Sequence, residues 1–303
     1  MPLPPHLEWL RCHPVTRRHP LRTWGRWVYW QIRQRLTKRP KTITLRNEAR
    51  LCIYPHEGLT GYWYVGRPDH EAMEFLARYL RKEDVVYDVG ANAGGFAVFA
   101  ASFGCEVNAF EPIPDTFRRL EENAALNRPH HRIEAHPLAL GEAPGTLRMT
   151  ASLGTGNRVV TEDESGPCLS VEVTTLDAWI QARSRTGPTF LKLDVEGHEL
   201  EVLLGAGEVL ASPALRGLLV ETFRPHNWQL PKLRRLEDLL ESHGFLPYAY
   251  DPCENALVWL EKPDEGDDDT LYLRDPEQVR TRLEGARDEA GNGARREEKS
   301  ATA

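Results

Sequence analysis

No run of 18 apolar residues occurs in this 303-residue sequence, so no segment reads as a membrane-spanning helix. The N-terminus lacks an apolar stretch closed by small residues. Pro2, Pro4, Pro5 and scattered arginines stand there instead, and a secretory signal is not expected. Cysteine is scarce. Cys12, Cys52, Cys105, Cys168 and Cys253 are separated by 40, 53, 63 and 85 residues, so no pair has metal-ligand spacing. An odd, scattered set also argues against a disulfide framework. These cysteines read as small buried hydrophobes in a reducing compartment, with the cytoplasm as the expected location. There is no internal repeat, and 41% hydrophobic with 27% charged residues excludes a disordered, collagenous or coiled-coil chain.

What is present is unevenly charged. Residues 1–50 hold twelve Lys/Arg against two Glu, a net of +10, whereas the whole chain carries −7; the remainder is therefore −17. Residues 1–46 form a basic arm that contains Trp9, Trp24, Trp27 and Trp30, half of the eight tryptophans. Residues 47–262 alternate strand-like apolar runs with amphipathic segments and read as one domain. Residues 263–287 read as an acidic loop (Asp264 to Asp269) followed by an accessory strand and helix. Residues 288–303 read as a disordered charged tail.

Within the domain, the spacing of Ala72, Met73, Phe75, Leu76, Tyr79 and Leu80 predicts a helix over 70–81. Buried strands are expected at 85–90, 106–111, 132–140, 189–194 and 217–222. Helices are expected at 94–104, 114–127, 198–210 and 232–243. Segments 246–250 and 256–261 read as a hairpin across a short turn, and 146–150 with 169–174 as a peripheral pair or insertion. The pattern predicts an α/β fold: a doubly wound, mostly parallel seven-stranded sheet with an antiparallel hairpin at one edge.

In such a sheet the ligand lies beyond the carboxyl ends of the strands near the switch point. The segment Asp88-Val89-Gly90-Ala91-Asn92-Ala93-Gly94 falls there, with glycines that let the backbone turn sharply. A dinucleotide fingerprint would place glycines at 90, 92 and 95, but position 92 is Asn. Asp88 would also repel a pyrophosphate, and suits a cationic amine such as the methionine part of S-adenosylmethionine. Glu111, ending Ala109-Phe110-Glu111-Pro112, lies 21 residues after Gly90, where a carboxylate can accept both ribose hydroxyls. Taken singly, Asp88 is equally a helix cap and Glu111 a solvated strand end. Their joint spacing favours a nucleoside site.

These two motifs, with Leu191-Lys192-Leu193-Asp194-Val195-Glu196-Gly197-His198-Glu199, resemble the FkbM family of methyltransferases. The resemblance runs from about Gly61 to Leu260, and Thr270–Asp275 resembles a terminal strand of some members. It implies a class I, Rossmann-like methyltransferase fold, S-adenosylmethionine as methyl donor, and an oxygen acceptor on a sugar or secondary metabolite. Carried over by position, Asp88, Gly90, Asn92 and Gly94 form the methionine-side loop, and Glu111 with Pro112 beside it holds the ribose. Glu71 matches a family position without an assigned role, and His198 falls at a variable one.

On the acceptor side, a strand continuing to Glu196 would put Lys192, Asp194 and Glu196 on one face. A hydroxyl needs a base or a metal to remove its proton. Asp194 and Glu196 suit either role, Lys192 could hold Asp194 ionised, and Glu221 would face the same crevice. A divalent cation preferring oxygen could bind at these carboxylates, unsupported by any His/Cys cluster, and no metal ligand is assigned. The plain alternative is that Asp194 and Glu196 cap the following helix. Tyr62, Trp63 and Tyr64 are either core strand residues or an acceptor platform. His130 and His131 read as solvated turn residues.

In the arm, Leu21, Trp24, Val28, Ile32 and Leu36 fall at helical spacing among arginines. That is the composition of a membrane-surface helix, although packing against the acidic body serves its tryptophans equally well. Peripheral membrane contact is thus one expectation for the arm. A small-molecule or glycan acceptor is expected, and nucleic acid is not, because the body is acidic. An N-methyltransferase, a nicotinamide-dependent oxidoreductase and a tethered non-enzymatic scaffold stand as alternatives.

Overall fold

The computed structural model describes residues 3–55, 58–128, 130, 132–150, 157–160, 166–222, 230–262 and 269–285. The expected acidic loop, apart from Asp269, and the charged tail at 288–303 lie outside these residues. The arm comprises three helices, α1 (Pro5–Cys12), α2 (Pro14–Arg18) and α3 (Pro20–Leu36). Each begins on a proline, which suits a first turn because its missing N–H would find no helical partner there. Next come an antiparallel ribbon, β1 (Lys41–Thr44) with β2 (Arg50–Ile53), and helices α4 (Thr60–Tyr64) and α5 (His70–Tyr79). The expected face of α5 is buried at Met73, Phe75, Leu76 and Tyr79.

The doubly wound core then alternates β3 (Val85–Val89), α6 (Gly95–Ala101), β4 (Glu106–Phe110), α7 (Pro114–Leu126) and β5 (Arg132–His136). The strand expected to run to Leu140 stops at His136, because Pro137 has no N–H to continue the ladder. The chain leaves through a small sheet of β6 (Ala139–Leu140), β7 (Gly145–Thr150) and β8 (Cys168–Thr174), and then α8 (Leu176–Arg183). It returns as β9 (Phe190–Leu193), α9 (Glu199–Leu204), α10 (Gly207–Ala211), β10 (Gly217–Glu221) and α11 (Leu230–Ser242). The expected hairpin is β11 (Leu246–Asp251) with β12 (Ala256–Trp259), followed by β13 (Asp269–Leu273).

The main sheet has eight strands in the order β12-β11-β13-β10-β9-β3-β4-β5. The seven expected strands are all in it, and β13 is the eighth. That strand is not accessory: it fills the gap between β10 and β11, antiparallel to both. The boundary drawn at residue 262 therefore cuts through the sheet. Sheet order is independent of chain order, which is why a strand that looks detached in sequence can sit in the interior.

Period-two alternation splits the core into two apolar layers. Val86, Phe190 and Leu219 face α5, α6 and α7, whereas Tyr87, Leu191 and Leu218 face α8, α9 and α11. Trp30 of α3 belongs to the first layer, so the arm is continuous with the core. All five cysteines are free. Cys52 and Cys105 are buried as expected, but Cys168 and Cys253 are exposed.

Candidate active site

Chain order reverses between β3 and β9, which lie side by side. From β3 the chain proceeds outward to β4 and β5, and from β9 outward to β10 on the other side. The loops leaving these two strands splay apart and open a cavity lined by Gly90, Asn92, Glu111, Pro112, Asp194 and Glu196. Six of the nine residues singled out from sequence thus face one space. The remaining three, Asp88, Gly94 and Lys192, lie behind its wall.

Gly90, Asn92 and Gly94 all take positive φ (82°, 49° and 84°). At Gly90 the reason is packing: a Cβ there would come within 1.9 Å of the Asp194 carbonyl oxygen. The glycine lets β3 and β9 keep their separation at the point where both chains turn. Asn92 tolerates the left-handed conformation, and its Oδ1 accepts a hydrogen bond from the Ala93 N–H at 2.7 Å.

Glu111 is almost fully buried, and its two oxygens accept N–H groups from Asn92 (3.0 Å) and Ile113 (2.8 Å). It therefore ties the β3 loop to the end of β4, and keeps lone pairs for further donors. Burial pushes its carboxyl up to about 7, against the opposing pull of the Ile113 and Asn92 N–H groups. Leu138, Leu140 and Met149 line the apolar side of the cavity. The small β6–β8 sheet, read from sequence only as peripheral, thereby covers it.

Behind the floor, Asp88 and Lys192 are register partners on the parallel strands β3 and β9. Asp88 is wholly buried, and its carboxylate lies near the Ala97 N–H in the first turn of α6 and the Lys192 ammonium. Burial raises its carboxyl to about 6, opposed by the Lys192 ammonium 3.8 Å away. Asp88 is not among the residues that line the cavity and sits one layer behind it. Its charge reaches the site through Lys192, whose Nζ donates to Asp194 Oδ2 at 2.9 Å. Burial works against the charge on Lys192, but Asp194, Asp88 and Asp269 outweigh it and hold the ammonium protonated.

The sequence argument for Glu196 needs correction. β9 ends at Leu193, so strand alternation does not carry Glu196 beside Asp194. A left-handed turn does so instead, with φ of 53° at Glu196 and 98° at Gly197. Carboxylate oxygens of Asp194, Glu196 and Glu221 then lie within 4.8 Å of one another, close enough to hold a divalent cation. Helix capping does not explain them. The turn is closed by Glu199, whose Oε1 accepts N–H groups from Val195 and Gly197, each at 3.1 Å.

Glu199 and Asn123 are organisers that sequence reasoning did not assign. Asn123 accepts the Cys52 N–H at 2.7 Å and donates to the Ala93 carbonyl at 2.8 Å, bracing the β3 loop from α7. The signal available was the Glu122-Asn123 pair within an otherwise amphipathic helix. Tyr62 and its neighbours form the helix turn α4 rather than a strand. Tyr62 packs on Gly95, where a Cβ would meet its ring at 2.6 Å. Trp63 turns away to the arm: its Nε1 donates to the Arg26 carbonyl, and Arg26 donates to the Trp63 carbonyl. His198 lines the cavity, and burial lowers its imidazole below the ordinary value.

Comparison with known proteins gives a consistent picture. A family model described as the methyltransferase FkbM domain matches residues 88–247. The hexuronic acid methyltransferase AglP of Haloferax volcanii is 31% identical over 148 residues, covering 48% of this chain and 59% of that protein. Less than two thirds of AglP is thus spanned. The 31-O-demethyl-FK506 methyltransferase FkbM of Streptomyces tacrolimicus is 30% identical over 203 residues, covering 56% of this chain and 75% of that protein. A crystal structure of methyltransferase FkbM from Methylobacillus flagellatus KT has a TM-score of 0.44 at 20% identity, covering 64% of this chain and 44% of that one.

Proposed function

Because the chain belongs to the FkbM methyltransferase family, we propose that it moves a methyl group from S-adenosylmethionine to a hydroxyl oxygen of a sugar, glycan or secondary metabolite. The observation that carries this reading is that Glu111 and the Asp194–Glu196 turn face one cavity from opposite strand ends. The residues fit a nucleoside donor. Glu111 retains acceptor capacity for a ribose diol, and Leu138, Leu140 and Met149 offer an apolar wall to a base. A pyrophosphate is disfavoured, since the Asn92 N–H is committed to Glu111. The name of the Streptomyces tacrolimicus enzyme, with its 31-O position, supports an oxygen acceptor, and that of AglP, a hexuronic acid methyltransferase, supports a sugar-derived one.

When bound, S-adenosylmethionine supplies a methyl carbon already activated by its sulfonium. The residues of this chain must then align the acceptor hydroxyl and receive its proton. Asp194, with one oxygen held by Lys192, orients the hydroxyl. Lys192 already hydrogen-bonds Asp194, and Glu196 lines the cavity close to it, so Glu196 receives the hydroxyl proton when the acceptor oxygen takes the methyl group.

Calorimetric titration with S-adenosylhomocysteine, with NAD as control, tests the donor site. Binding of the former alone is expected, and binding of NAD alone would transfer the fold to the oxidoreductase reading. Glu196→Gln is expected to keep S-adenosylhomocysteine affinity while lowering kcat by about 10²–10⁴ in a labelled-methyl assay on a hydroxyl acceptor. An unchanged kcat would remove Glu196 as the base.

A further inference from the structure

The outward face of α3 is apolar. Leu21 is 90% exposed, Leu36 78%, Ile32 53% and Val28 47%, and their spacing of seven, four and four places them in one stripe. Thr23 and Trp30, on the opposite face, are buried against the body. The sequence left open whether the arm would hide its apolar side chains or offer them to a partner. The structure divides the helix between the two: one face anchors it, and among the described residues nothing covers the second, apolar face. The reciprocal Arg26–Trp63 hydrogen bonds hold that second face in a fixed orientation.

Charge selects the occupant. Residues 17–41 contain nine Lys/Arg and no acidic residue. Among the described residues, the arm's one salt bridge joins Arg11 to Glu8 inside α1, and no carboxylate pairs with the cations of α3. On the body side of α3 a cleft of about 1110 Å³ is lined by both signs of charge, Arg18, Arg22, Arg26 and Lys41 with Glu71, Glu74 and Asp251, and is distinct from the outward stripe. We propose that the outward face docks on an anionic lipid bilayer, with α3 lying in the interface, its aliphatic stripe among the acyl chains and its arginines on phosphate headgroups. At 17 residues α3 is about 25 Å long, and among the described residues no helix is long and apolar enough to cross a membrane. A second copy of the chain is a poor occupant, because a two-fold contact would set nine cations against nine. The −17 body repels the same surface, so the protein approaches arm first.

Co-sedimentation of the full chain with lipid vesicles tests this. Vesicles of phosphatidylcholine alone are compared with vesicles containing about one third phosphatidylglycerol. Binding to the anionic vesicles, weakened by salt, is expected. The triple variant Leu21→Ser/Ile32→Ser/Leu36→Ser changes only exposed side chains and should keep the wild-type melting curve while partitioning at least about tenfold more weakly. Arg22→Glu/Arg35→Glu should lose the preference for anionic lipid. Absence of vesicle binding, equal binding to both lipids, or unchanged partition of the triple variant would overturn the proposal. So would sedimentation velocity showing a dimer that the triple variant dissociates, because the stripe would then belong to a second copy.

Discussion

At the scale of single residues, two opposing effects meet at Glu111. Its backbone N–H partners favour the carboxylate, burial favours the acid, and burial wins, leaving the group near 7. A folded-state value above the unfolded one means that its contribution to stability is complete below about 4.5 and is lost as pH rises through about 7. Glu111 should therefore lower the melting temperature of the ligand-free protein as pH rises from about 4.5 to 7, and Glu111→Gln should remove that component relative to wild type. Asp88, raised to about 6, acts in the same direction, whereas His13, His70, His136 and His198, lowered by burial, act in the opposite one below about pH 6.5. Ribose hydroxyls donate to the ionised form, so S-adenosylhomocysteine should bind more tightly as pH rises through the same window. Glu111→Gln should cost about 1–3 kcal/mol of that affinity. Calorimetry across pH checks both, and a flat profile with a wild-type-like variant would dismiss the ribose contact. Gly90→Ala is predicted to destabilise by about 3 kcal/mol or more, combining left-handed strain with a Cβ driven onto the Asp194 carbonyl. Denaturant unfolding measures it. The need for glycine here was legible in the loop motif, but its cause was not: the sequence suggested close approach of a ligand, and the structure supplies close approach of β9.

At the scale of elements, most of the helices and strands were legible because their apolar periods are local. The exceptions share one feature. β13 and the Glu196 turn each depend on a partner distant in the chain or on a backbone conformation that side-chain period does not encode. Asp269–Leu273 pairs on both sides, five residues with β10 and three with β11. Truncation after Lys262 should therefore leave two unsatisfied strand edges in the middle of the sheet. Loss of the cooperative thermal transition is expected for that truncation, followed by circular dichroism. A truncated protein that still melts cooperatively at the full-length temperature would return β13 to the accessory role first read from the sequence.

At the scale of the whole molecule, the arm and the catalytic body share one apolar layer, and Trp30 is the residue that joins them. Trp30→Ala should cost about 3–5 kcal/mol and expose the arm to limited proteolysis, while an exposed substitution such as Leu21→Ser should do neither. Equal protease resistance of the two variants would show that the arm is held by its polar contacts alone. The amino-acid sequence by itself determined the doubly wound class, the family resemblance, the glycine loop and Glu111 at neighbouring strand ends, and the opposed charges of arm and body. Those features reside in short-range periodicity, residue chemistry and composition, which need no knowledge of what lies across the sheet. Only the tertiary structure decided that Asp88 is buried beside Lys192, that a left-handed turn gathers Asp194, Glu196 and Glu221, and that α3 turns an apolar stripe outward. Each of these follows from strand register, close backbone approach or choice of packed face, and such relations arise between segments rather than within them.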